Sequence, residues 1–296
     1  MLKKFSKDRP QLSSALKFAL KIGLSALAIY LVFTQIDLEE VWALLRSASV
    51  PLLIIATVFF NFSKLVAAHR QLLLFREMSL KINARYNLRL YYIGMFYNLF
   101  LPGGVGGDGY KVIHLRARSE SKSKLLVAAV LLDRLSGAAA LSFLGLAIAG
   151  FYPSLLSKSA SWVYPLVVVG ALAALPAFAV LLEYVFPTFR KLRWPLITGS
   201  IGVQGAQLIC AACILWSLGV EDHLFLYLAL FLASSLAAML PISFGGIGLR
   251  ELVFLYAAQY LPIDQTAAVS LGLIFFLITA ISSLAGAFIK LPPKLS

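Results

Sequence analysis

Six stretches of this chain stay apolar long enough to cross a bilayer: residues 16–34, 50–68, 125–151, 162–186, 195–218 and 265–289. A hydrocarbon core of about 30 Å takes roughly 20 helical residues, so each stretch predicts a transmembrane helix. Composition agrees. Of 296 residues, 60% are hydrophobic and 13% are charged, against about 25% charged in a soluble domain. A water-soluble enzyme, a disordered chain and a secreted disulfide scaffold are thereby excluded. Two further apolar stretches, 90–101 and 224–240, each run into a Leu-Pro and a glycine cluster, and a short piece follows each, 110–115 and 249–261. The expected fold is all-α: a polytopic membrane protein with about six full transmembrane helices plus two re-entrant, broken helical hairpins. We expect a single membrane domain, 1–296, with pseudo-repeats over about 12–151 and 160–290.

The net charge of +13 would suggest nucleic acid in a soluble protein. Here its distribution matters more. If both interrupted stretches return to the side they came from, 20 of the 26 basic residues fall on one side, and the outer loops keep only Arg46 and Lys158. Basic loops stay in the cytoplasm, so both termini are expected there and no nucleic-acid partner is implied. In this reading Lys64, Arg70, Arg76, Lys81, Arg85 and Arg89 form one cytoplasmic basic segment. The two cysteines, Cys210 and Cys213, lie inside an apolar span and read as small packing residues.

The interruptions repeat. Leu101-Pro102-Gly103-Gly104-Val105-Gly106-Gly107-Asp108-Gly109-Tyr110-Lys111 aligns with Leu240-Pro241-Ile242-Ser243-Phe244-Gly245-Gly246-Ile247-Gly248-Leu249-Arg250, 139 residues later. The shared pattern is L-P-x-x-x-G-G-x-G-x-[K/R]. The first half starts inside and the second outside, so an inverted-topology repeat is expected, with the two broken segments at matching positions. That arrangement is common in transporters, which bind substrate between discontinuous helices.

The chemistry of the motif points to an anion. Proline ends a helix, and glycines let a headgroup approach the backbone. The freed N–H groups at the start of the next half-helix, and its dipole, favour negative charge. Gly106, Gly107, Gly245 and Gly246 are the candidate backbone contacts, and Lys111 and Arg250 the candidate phosphate ligands. A plain helix-breaking turn that packs the hairpin tips is compatible with this. Asn98, Pro102, Asp108 and Pro241 are assigned structural motif roles, with Asn98 and Asp108 able to satisfy freed backbone groups. Asp133 and Arg134 lie inside the third full span, where a charge is costly and usually functional. We expect Asp133 to pair with a hairpin base and Arg134 with Glu251 or a lipid phosphate. The alternative role is a structural ion pair that fixes the hairpins. Gln204 and Gln207 share a helix face, and interhelical hydrogen bonding is expected of them. No metal-ligand set and no nucleophile–base pair is recognisable, so neither cofactor nor metal is expected.

Together, 98–111 and 241–251 resemble the paired motifs of the lysylphosphatidylglycerol synthase transmembrane family, a flippase-like domain. The resemblance covers nearly the whole chain. It implies a bacterial or archaeal cytoplasmic-membrane protein that moves lipids between leaflets, with anionic or phosphate-bearing membrane lipids as partners. Lys111 stands where the family pattern has Arg, which removes a bidentate phosphate contact there. The sequence given ends at Ser296, so we expect a stand-alone membrane domain without aminoacyl transfer. The expected function is a lipid translocase working through a cavity between the two Gly-rich motifs. The alternatives are a membrane enzyme on a polyprenyl- or glycerol-phosphate lipid, or an accessory subunit of an envelope-lipid synthase.

Overall fold

A computed structural model describes residues 38–100, 104–153, 161–239 and 248–292. Ten α-helices occur among them: α1 (Leu38–Ser47), α2 (Val50–Glu77), α3 (Ala84–Phe100), α4 (Gly106–Arg116), α5 (Ser123–Ala149), α6 (Val163–Val185), α7 (Arg193–Ser217), α8 (Leu224–Ala238), α9 (Leu249–Ala258) and α10 (Gln265–Phe288). A 3₁₀ turn, Pro187–Leu192, joins α6 to α7, and no strand occurs among the described residues. Five helical stretches are long and apolar enough to cross a membrane: α2, α5, α6, α10, and α7 with its preceding 3₁₀ turn. Each matches a span expected from the sequence. The expected first span, 16–34, lies outside the described residues.

Local chemistry explains the helix ends. Helix α2 follows Ser49 in extended geometry, with a proline in its first turn, where the missing N–H costs nothing. Asp264 caps α10 by accepting from the Ala267 N–H at 2.6 Å. Both interrupted stretches break as expected, α3 from α4 and α8 from α9. Two boundaries differ from the sequence reading. Helix α1 occupies a stretch read as an outer loop; its 10 residues carry two acids in the first turn and an arginine in the last, which suits the helix dipole. Helix α2 continues past residue 68 to Glu77, 28 residues in all, or about 42 Å at 1.5 Å per residue.

Helices α2 and α7 pack side by side along most of their length. Small residues allow this: Gly199 sits against the stem of Arg70, and Gly202 against Val66. Lipid tails are as apolar as the side chains, so close van der Waals packing is what drives such contacts. The opposite face of α2 presents Ile54, Val58, Phe62 and Leu65 outward, one stripe at helical spacing that suits lipid. The half-helices cross between the two parts of the chain: α3 packs on α10, and α8 packs on α5. At the first crossing Gly286 lies against the carbonyl of Tyr92, leaving no room for a β-carbon.

Two apolar clusters form, one at each end of the long helices. Helix α2 gives Ala56 and Phe60 to the first and Leu72, Leu74 and Phe75 to the second. Helix α5 likewise gives Leu141 to the first and Leu126, Ala129 and Leu132 to the second. Helix α7 gives Cys210 through Leu215 to the first and Leu196 and Ile197 to the second. Both cysteines are thus packing residues, buried and free. Between the clusters, each of these three helices has a polar waist.

Replacing Gly286 with Ala should destabilise the protein by about 1–3 kcal/mol through overpacking. Gly205, in α7 with open space around its missing side chain, serves as the control. Gly205→Ala should leave stability unchanged or raise it by up to about 1 kcal/mol. Thermal unfolding of the detergent-purified variants, followed by tryptophan fluorescence, reads both.

Candidate functional site

The polar waist is built around the two breaks. At the first, Gly104 adopts φ 61°, a left-handed turn that suits glycine. Helix α4 then starts without a side-chain cap from its own N-cap residue, Val105. Its Gly107 N–H instead donates to Asn98 Oδ1 at 2.8 Å. Gly107 also presses on the backbone of Gly94 in α3, so closely that a β-carbon is excluded. At the second break, Gly248 takes φ 83°, and its N–H donates to Glu251 Oε2 at 2.8 Å. That bond is one half of a capping box, and it commits the Glu251 carboxylate to the start of α9.

Ionic contacts join these breaks to the long helices. Arg134 of α5 donates to the Asp108 carboxylate and to the carbonyl of Gly104. Lys111 Nζ lies 3.4 Å from Asp108 Oδ1 and 4.9 Å from the centre of the Tyr91 ring. Arg70 of α2 donates through Nε to Asp133 Oδ1 at 2.8 Å and through Nη1 to Ser200 Oγ at 2.5 Å. Three helices, α2, α5 and α7, are thereby tied by one buried guanidinium.

Two cations stand apart from this network. Among the described residues, no carboxylate lies within 4 Å of Lys64 or Arg250. Each sits on aromatic rings instead. Lys64 Nζ is 4.3 Å from the centre of Phe60. The Arg250 guanidinium is 4.7 Å from Phe275 and 5.4 Å from Phe231. Phe60 and Phe275 meet edge to face at 5.5 Å, and Phe275 meets Phe231 at 4.8 Å. Both cations therefore rest on one connected aromatic cluster. Arg250 also donates to Ser235 Oγ at 3.2 Å.

The charged side chains of this network and the two cations apart from it line one cavity of about 340 Å³, at the small end of the roughly 300–1,000 Å³ usual for ligand pockets. The sequence-predicted residues Lys111, Asp133, Arg134, Arg250 and Glu251 come together there, with Asn98 and Asp108. Gly106 and Gly107 do not line it, and Gly107 serves close packing. Gly245, Gly246, Pro102 and Pro241 lie outside the described residues. The expected partner of Asp133 and the expected Glu251 partner of Arg134 are corrected. Asp133 bonds Arg70 rather than a hairpin base, and Arg134 bonds Asp108 rather than Glu251, because the Glu251 carboxylate is turned onto its own helix start. Lys64 and Arg70 are corrected as well. They lie within α2 and line the cavity rather than sitting in a loop. Lys64 already fell inside the apolar stretch 50–68, a signal that its basic neighbours masked. Gln204 and Gln207 also line the cavity. Gln204 is 6% exposed, and its Oε1 is buried with no hydrogen-bond partner.

These features define a polytopic α-helical membrane protein with a charged cavity at the middle of its long helices. The chain belongs to the family described as lysylphosphatidylglycerol synthase TM region, whose model matches residues 18–286. Membership carries a lipid-related role in a membrane. No curated protein matches the chain.

Breaking the Arg70–Asp133 pair isolates a buried carboxylate. Arg70→Met should destabilise the protein by about 3 kcal/mol, while Arg70→Met combined with Asp133→Leu should recover most of that loss. Thermal unfolding of the single and double variants checks it.

Proposed function

We propose that this protein is a lipid translocase that passes a phosphate-bearing headgroup through the cavity between its two broken helices, with the acyl chains left in the bilayer. One observation carries the reading. Lys64 and Arg250 line a cavity at mid-helix depth and rest on aromatic rings rather than on carboxylates. A charge at the centre of a membrane helix costs about 2.5–3.5 kcal/mol. Aromatic faces return roughly 0.5–2 kcal/mol per contact. The remainder is offset when an anion enters. Arg250 has guanidinium donors beyond the one given to Ser235, enough for a phosphate fork. Gln204 lines the cavity as well, and its buried, unpartnered Oε1 is an acceptor that a bridging water would satisfy.

The remaining residues have supporting roles in this mechanism. Asp108 holds Arg134 and Lys111 at the first break, Glu251 fixes the start of α9 so that Arg250 points into the cavity, and the Arg70–Asp133 pair keeps the long helices in register around it. The crossed packing of α3 on α10 and α8 on α5 supports two inverted halves that could rock about α2 and α7. Transport is then passive or ion-coupled, and the membrane is the bacterial or archaeal cytoplasmic membrane with both termini inside.

Arg250→Ala and Lys64→Ala, reconstituted in vesicles of phosphatidylglycerol and phosphatidylcholine, should each slow leaflet exchange of fluorescent phosphatidylglycerol by about tenfold or more, a loss of at least 1.4 kcal/mol at the barrier. Dithionite quenching measures the exchange, and unaltered thermal unfolding shows that the variants fold. Wild-type exchange in both variants would refute the site.

A further inference from the structure

The charges that line the cavity do not balance. Five basic side chains, Lys64, Arg70, Lys111, Arg134 and Arg250, face three acidic ones, Asp108, Asp133 and Glu251. Two positive charges are left over among the described residues. Arg70 and Asp133 neutralise each other at 2.8 Å, and Arg134 and Lys111 share Asp108. Glu251 is bound to the start of α9. The surplus of two belongs to the cavity as a whole, since Arg134 and Lys111 share a single carboxylate and Glu251 carries one negative charge; Lys64 and Arg250, with no carboxylate at ion-pair distance among the described residues, are the cations placed to meet a ligand.

We infer that the headgroup this cavity takes is a phosphomonoester, a lipid whose phosphate is terminal and carries close to two negative charges, rather than a phosphodiester that carries one. The inference rests on the translocase reading and narrows its substrate. A terminal phosphate has a second ionisation near pH 6 and a charge of about −1.5 to −2 at pH 7. That matches a surplus of two. A diester leaves one cation uncompensated in a low-dielectric site, where a lone charge is strongly disfavoured. Geometry agrees with charge. Lys64 and Arg250 stand on rings of one aromatic cluster, Phe60–Phe275–Phe231, so they approach the cavity from one wall. A terminal phosphate has three free oxygens to offer two such donors, and a diester has two.

The shared chemistry, a phosphate monoester, also occurs in water-soluble molecules, so the test separates the two sources. Isothermal titration of the purified full chain in a zwitterionic detergent at pH 7.5 compares three probes: dioctanoyl phosphatidate, dioctanoyl phosphatidylglycerol and glycerol 3-phosphate. Phosphatidate should bind about tenfold more tightly than phosphatidylglycerol, a difference of about 1.4 kcal/mol, and glycerol 3-phosphate should bind far more weakly than either. Lys64→Gln and Arg250→Gln, each removing one of the two surplus charges, should cut the preference to about twofold while circular dichroism and thermal unfolding report a folded protein. Equal affinity for the two lipids in the wild type overturns the monoester inference and leaves the translocase reading standing. A preference that survives both substitutions overturns the assignment to Lys64 and Arg250. Glycerol 3-phosphate binding as tightly as phosphatidate, with no leaflet exchange in vesicles, keeps the monoester chemistry and overturns the lipid reading on which it rests.

Discussion

The architecture depends on one constraint: charge placed inside a low-dielectric slab has to be answered locally. Eight ionisable side chains meet at the waist of this helical bundle, between two apolar clusters. All three carboxylates among them are committed, one to Arg70, one to Arg134 with Lys111, and one to the first turn of α9. These commitments hold the broken helices in place. Without Asp108, Arg134 would lose the partner that ties it to the first break, and without Glu251 the start of α9 would have an orphan N–H in the membrane. Polar residues therefore carry the specificity of the fold, while the apolar clusters above and below supply most of its packing.

Much of this was legible before the structure, and the limits have physical causes. Transmembrane spans and helix breaks are encoded locally, in runs of apolar residues and in Pro and Gly, so α2, α5, α6, α7 and α10 and both interruptions were readable. The importance of Asp133 and Arg134 was readable from depth alone. Their partners were not. Arg70 is 63 residues from Asp133 and Asp108 is 26 from Arg134, and only tertiary packing brings them together. Adjacency misled in one place: Glu251 sits beside Arg250 in sequence and across from Arg134 in expectation, yet its carboxylate bonds the N–H three residues back. Charge density misled in another. Lys64 and Arg70 precede a run of basic residues and look continuous with it in sequence, although the helix carrying them continues to Glu77.

The two motif copies share a pattern and divide the work. In the first, Asn98 takes the N–H of Gly107, and Asp108 gathers two cations. In the second, no acid occupies the position of Asp108, where Ile247 stands, and the basic residue Arg250 is left with a hydroxyl and two rings. The first break thus ties both of its cations to a carboxylate, whereas the second leaves Arg250 with none at ion-pair distance. Lys111, buried over Gly94 and held near Asp108, is a structural cation more than an open one. The asymmetry places the available positive charge on the side of the second break and of α2.

The aromatic seat of Lys64 and Arg250 has a mechanical consequence. A carboxylate holds a guanidinium by directed bonds, and moving the cation means breaking them. A ring face attracts a cation through its quadrupole, with no fixed lone pair to leave behind. A guanidinium that slides over Phe275 by an ångström gives up little, and it stays within reach of Phe231 next to it. The ring contacts under these two charges thus hold them less rigidly than a carboxylate would, and Arg250 keeps one directed bond, to Ser235 Oγ. In the proposed translocation, a phosphate held by such cations would cross the waist on a compliant mount, without the stepwise release and recapture that a rigid ion pair would impose.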